Sequence, residues 1–182
     1  MKFIKTLGIF LIVLVILVLI NRWYLGGFVR LEAKEQNMGP YTIAYVNFVG
    51  NYGKVGPSMT KVYEILSGAG IISYTGVGIY YDDPAVISGE LLRSDIGAII
   101  DPQDTNKLFD NKDIQIKTLT AGNKIVVEFP LKNTFSSMIG PMRVYPVMTK
   151  YMEENGYTNE IPMIELYDMQ AKKIYYIAEV KK

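Results

Sequence analysis

The chain has 182 residues, enough for one domain with a substantial core. It carries 19 Lys and Arg against 18 Asp and Glu, and it has no cysteine and no histidine. That composition excludes Cys/His zinc sites, thiol nucleophiles and Ser-His-Asp triads, so any acid–base chemistry falls to Asp, Glu, Tyr or Lys.

Lys2, Lys5 and Arg22 are the only charges before Phe28. The remainder is mildly acidic, which argues against a nucleic-acid partner, since those need a basic face. Leu7 to Ile20 is unbroken apolar sequence apart from Gly8, and Trp23-Tyr24 follows as an interfacial aromatic pair. Counted from Thr6 to Leu25, about twenty residues are available for a membrane-spanning helix. No small-x-small cleavage site follows cleanly. The expectation is therefore an uncleaved single-pass anchor over 1–27, a short polar linker over 28–37 with Gly26-Gly27 as a flexible point just before it, and an extracytoplasmic domain.

The body, 38–182, reads as two copies of one pattern. Thr42 to Val49 is rich in strand formers. A helix follows, opened by Gly56-Pro57, with Val55, Met59, Val62, Leu66 and Ala69 on one face. Strands are predicted near Gly76 to Tyr81 and Leu91 to Ile100. This first half covers 38–101, and the polar stretch 102–112 joins it to the second, 113–182. There, Ile114 to Leu119 and Lys124 to Phe129 are predicted to pair as a hairpin across Thr120-Ala121-Gly122-Asn123. Gly140-Pro141 opens another helix, whose apolar face is Val144, Tyr145, Met148, Tyr151 and Met152, and Asn155-Gly156 closes it. Pro146 requires a kink or a later start. Strands at Met163 to Asp168 and Lys173 to Val180 complete the unit. The predicted fold is α+β: duplicated strand-helix-strand-strand units forming a largely antiparallel sheet, with two helices around a central groove, preceded by one N-terminal transmembrane helix.

Three motifs stand in order along this pattern. Val49-Gly50-Asn51-Tyr52 precedes the first helix. Tyr80-Tyr81-Asp82-Asp83-Pro84 is followed by Leu92-Arg93-Ser94-Asp95. Pro162-Met163-Ile164-Glu165-Leu166-Tyr167 opens the penultimate strand. They resemble the V-G-x-[YW], YYD-x-P…LR-x-D and P-x-x-E-x-Y signatures of the GyrI-like small-molecule-binding family. That family includes effector domains of multidrug-sensing transcription activators. The resemblance implies a ligand-binding cup between two strand-helix-strand-strand units and a ligand-facing carboxylate at Glu165. The family's second glutamate is matched here by Tyr175, which implies one acid rather than two. The apolar segment stands where a DNA-binding domain would, so a role in transcription is not expected to carry over.

Tyrosine is abundant, at 14 residues. Tyr52, Tyr63, Tyr80, Tyr145 and Tyr167 fall on or near the elements that would line the groove. Tyrosine walls offer flat apolar faces with polar tips and attract cations through their rings. Met163, Glu165 and Tyr167 share one strand face. Arg93 and Asp95 are expected to pin the turn at Asp82-Asp83. The functional expectation is a membrane-tethered module that senses or sequesters lipophilic or cationic small molecules, with Glu165 as counter-charge and no cofactor or metal. One alternative, implied by the resemblance, is a hydrolase of reactive cyclopropane-bearing compounds using Glu165 and a tyrosine. Another is a protein-interaction module.

Overall fold

The computed structural model describes residues 2–24, 29–158 and 162–180. After an N-terminal helix α1 (Lys2–Tyr24), the chain runs β1 (Ala33–Met38), β2 (Tyr41–Val49), α2 (Gly56–Gly68), β3 (Thr75–Tyr80), β4 (Arg93–Ile99), β5 (Gln115–Leu119), β6 (Gly122–Pro130), α3 (Thr134–Glu154), β7 (Met163–Asp168) and β8 (Lys173–Glu179). The eight strands form one antiparallel sheet in the order β1-β6-β8-β7-β3-β4-β2-β5.

That order shows the duplication. β2-α2-β3-β4 and β6-α3-β7-β8 are equivalent units, joined where β3 pairs with β7, Gly78 opposite Glu165. The strand that precedes each unit in the chain pairs with the first strand of the other: β1 with β6, and β5 with β2. The predicted β5–β6 hairpin is therefore corrected. Only Thr120 and Ala121 separate the two strands, yet they lie at distant positions in the strand order. The reason is that β2 is apolar on both faces and takes β5 on its second edge. Ile43 and Ala44 are fully buried between β4 and β5, which leaves β2 no exposed edge there. The linker expected over 28–37 is corrected as well, because Ala33–Met38 is strand β1, with every residue in register against β6.

Both helices pack on one face of the sheet. α2 covers Ala44 and Ala98 with Val62 and Leu66, and α3 covers Ile125, Val127, Phe129 and Ile174 with Val144, Met148 and Met152. The opposite face curls on itself around Ile43, Val77, Ile79, Val126, Ile164, Leu166 and Ile177. α3 begins six residues before the expected Gly140-Pro141 entry. Ser136 Oγ accepts from the Lys132 and Asn133 amides at 3.0 and 3.3 Å and fixes the earlier start. Pro141 and Pro146 both lie inside the helix and donate no N–H to the carbonyls four residues back. Gly156, at φ +72°, ends it where Asn155-Gly156 predicted.

Among the described residues, no helix is long and apolar enough to cross a membrane. This overturns the single-pass anchor, and with it the membrane partner and the extracytoplasmic location. The unbroken apolar run is Leu7 to Ile20, closed off by Lys5 on one side and Asn21-Arg22 on the other. It gives about 21 Å of helix at about 1.5 Å per residue, short of a hydrocarbon core of about 30 Å. Gly26-Gly27, the expected flexible point, lies outside the described residues, as does the side chain of Trp23.

Candidate functional site

The centre of the helix-covered face is Glu165. Strand alternation points it, with Met163 and Tyr167, toward α3, while Ile164 and Leu166 enter the opposite core. Its cross-strand neighbours are Gly78 on β3 and Tyr176 on β8. Gly78 matters here: a Cβ at that position would stand 2.7 Å from the Tyr80 hydroxyl. The absent side chain is what lets the Tyr80 ring lie flat over the strand beside the carboxylate.

Glu165 is 2% exposed. Tyr145, from α3, donates to its Oε1 at 2.5 Å, and Tyr167 donates to Oε2 in a short hydrogen bond. Burial raises the Glu165 pKa to about 7, against the opposing pull of these two hydroxyls, which favour the charged form. The tyrosines respond in turn. Burial first, then the adjacent carboxylate, pushes Tyr80, Tyr145 and Tyr176 well above the ordinary phenol range, and Tyr167 is raised by the same causes. They remain protonated donors at any physiological pH.

Of the predicted site residues, Glu165, Tyr80, Tyr145 and Tyr167 come together. Tyr52 touches the group through its ring, edge-on to Tyr80 with centroids 4.8 Å apart. Its hydroxyl is committed elsewhere, donating to the carbonyls of Asp82 or Arg93 at 3.1 and 3.0 Å and accepting from the Asp82 amide. Tyr63 lies apart from the carboxylate. It lines an open groove of about 650 Å³ along α2, with Met59, Thr60, Glu64 and Ser67. Glu165 does not line that groove. Glu165 is buried beneath Tyr145 and Tyr167, so a ligand reaches the carboxylate only by displacing side chains.

The sequence reading missed Tyr176. It matched the family's second acid to Tyr175, but Tyr175 faces the opposite core, and Tyr176 is the residue beside Glu165. Counting alternation forward from Ile174 would have found it, since 174, 176 and 178 share the helix-facing side. Tyr176 is fully buried, its ring edge-on to Tyr145 at 5.7 Å, and among the described residues its hydroxyl has no hydrogen-bond partner. Gly140 makes room for it, because a Cβ there would collide with the hydroxyl.

The turn motif divides into two parts. Arg93 does pin Asp82, through Nη2–Oδ1 at 2.7 Å and Nε–Oδ2 at 3.1 Å, while its own amide donates to Oδ2 at 2.7 Å. Asp95 does not share that task. It lies on the inner face of the sheet, bonded to Asn47 at 2.7 Å, to Tyr81 at 2.6 Å and to Lys117.

A duplicated strand-helix-strand-strand sheet, with a carboxylate and tyrosines buried between its two helices, is the architecture of a small-molecule-binding module. The sequence matches the GyrI-like small molecule binding domain over residues 32–180, and the chain belongs to that family. It is similar to the C-terminal domain of EcmrR, with a TM-score of 0.62 at 12% identity over 84% of this chain and 98% of that one. It is also similar to a hydrolase from Listeria innocua, with a TM-score of 0.56 at 12% identity over 82% and 92%. These likenesses show the fold. A mouse protein, the testis-expressed protein 264 homolog, is 24% identical over 148 residues, which are 78% of this chain and 45% of that protein's length. The chain thus spans less than half of that relative.

Proposed function

We propose that this protein binds aromatic or lipophilic cations, with Glu165 as the buried counter-charge and Tyr80, Tyr145 and Tyr167 as the walls. One observation carries the reading: a carboxylate held out of water and capped by the phenols of Tyr145 and Tyr167. A cation that displaces Tyr145 meets a low-dielectric carboxylate and ring faces in one place, where both attractions are stronger than in water. Tyr52 and Tyr63 act at the edge of this site, Tyr52 by bracing Tyr80 and Tyr63 by lining the open groove through which the ligand enters. The ligand would sit between the halves 38–101 and 113–182.

Hydrolysis is the lesser reading. Glu165, titrating near neutrality beside a phenol, has the protonation behaviour of a general acid or base. Against it, Tyr176 occupies the neighbouring position where a second acid would stand. A thermal-shift comparison tests the binding reading. Benzyltrimethylammonium raises the melting temperature in proportion to the logarithm of its concentration. The neutral isostere neopentylbenzene raises it much less. Equal shifts with both compounds would refute the counter-charge.

A further inference from the structure

The inner face of the sheet carries a second cavity. β1 passes into β2 through Gly39-Pro40 alone, and β5 passes into β6 through Thr120-Ala121, yet each pair of strands lies far apart in the sheet order. Two such short crossings draw the ends of the sheet toward each other, so the sheet closes into an incomplete barrel. At its mouth is a cavity of about 170 Å³, with Met38 from β1, Tyr41 from β2, Leu119 from β5, Ile164 from β7 and Ile177 from β8 on its apolar side and Thr118, Thr120, Lys124 and Glu179 on its polar side. Apolar cavities of about 150 Å³ in proteins stay dry and accept a single benzene-sized ring, and barrel mouths are a recurrent place for small ligands.

Two polar groups on this wall have hydrogen-bonding capacity to spare. Among the described residues, the Tyr41 hydroxyl reaches only the Met38 sulfur, at 3.9 Å, a weak acceptor. The Lys124 ammonium, 11% exposed, is paired with Glu179 Oε1 at 3.0 Å and carries three donors. An apolar side formed by Met38, Leu119, Ile164 and Ile177, facing a polar side on which Tyr41 and Lys124 offer donors and Glu179 is held by Lys124, fits a single-ring molecule bearing one acceptor.

We propose that this lumen is a second binding site, separate from Glu165, for a small neutral aromatic compound with one hydrogen-bond acceptor, its ring against Ile164 and Ile177 and its oxygen at Tyr41 and Lys124. The two sites lie on opposite faces of the same strand, since Ile164 and Glu165 are adjacent on β7.

The test is a methyl-NMR titration of the full chain with acetophenone. The site predicts saturable shifts at Met38, Leu119, Ile164 and Ile177 that persist under saturating benzyltrimethylammonium. Tyr41→Phe should weaken acetophenone about fivefold while leaving benzene unchanged, and Leu119→Phe should fill the space and abolish binding of both. Shifts centred on Met59 and Met163 instead, or competition by the cation, would place the compound in the helix-side groove and overturn the proposal. So would the absence of saturable shifts at millimolar acetophenone. Loss of cation binding with retention of these methyl shifts would fault the Glu165 reading alone.

Discussion

Lowering the pH should weaken cation binding steeply, because the counter-charge itself titrates. Glu165 is raised to about 7 by burial. At pH 8 it is largely ionised in the free protein, and at pH 5 only about one molecule in a hundred retains the charge. Each pH unit below 7 therefore costs about tenfold in affinity, or about 1.4 kcal/mol. Isothermal titration with benzyltrimethylammonium, whose charge does not change over this range, should give a dissociation constant about 100-fold weaker at pH 5 than at pH 8. Neopentylbenzene should show no such slope. The same shift sets the sign for stability. The folded state holds the proton more tightly than the unfolded chain, in which the group titrates near 4.5. Stability is thus highest below about pH 4.5 as far as this group is concerned, falls by about 3 kcal/mol as the pH rises to 7, and is level above. A cation affinity that varies less than twofold between pH 5 and 8 would refute the assignment of Glu165 as counter-charge.

Other perturbations follow from the same contacts. Tyr145→Phe removes a donor to a charged acceptor worth about 1.5–3 kcal/mol, so the Glu165 titration observed by carboxyl NMR should move up by about 1–2 pH units. Gly140→Ala should destabilise by about 1–3 kcal/mol in urea unfolding, through the collision with Tyr176. Tyr176→Phe in that background should recover part of the loss, since the hydroxyl it removes has no partner among the described residues. Lys117→Met strands the buried Asp95 carboxylate beside Tyr81 and Asn47. It should cost about 2–3 kcal/mol in the same assay, less than a fully buried pair, because the lysine is partly exposed.

The helices, the strands of both units and the carboxylate at the centre were legible in the sequence because each rests on a local signal. Alternation placed Glu165 and Tyr167 on one face of β7, Gly-Pro marked the entry to α2, and the duplication appeared as a repeated order of elements. What could not be read depends on contacts distant in sequence. The exchange of β1 and β5 between units was hidden by Thr120-Ala121-Gly122-Asn123, which has good hairpin residues but connects strands that do not pair. β1 itself, Ala-Lys-Glu-Gln-Asn-Met, is polar because it is an edge strand with one face in solvent, and so it reads as a linker. The true start of α3 was masked by Gly140, whose role is packing against Tyr176 rather than opening a helix. The apolar N-terminal run was read as a span by counting the polar Thr6, Asn21 and Arg22 with it, although its unbroken apolar part, Leu7 to Ile20, falls short of one.

The most direct test of the account is a binding titration of wild type and Glu165→Gln at pH 8 with benzyltrimethylammonium and neopentylbenzene. Glutamine keeps the shape and one acceptor for the tyrosines but carries no charge. The account predicts that cation affinity falls by about 10- to 100-fold while affinity for the neutral isostere changes by less than about twofold. Equal affinity of both proteins for the cation would contradict it.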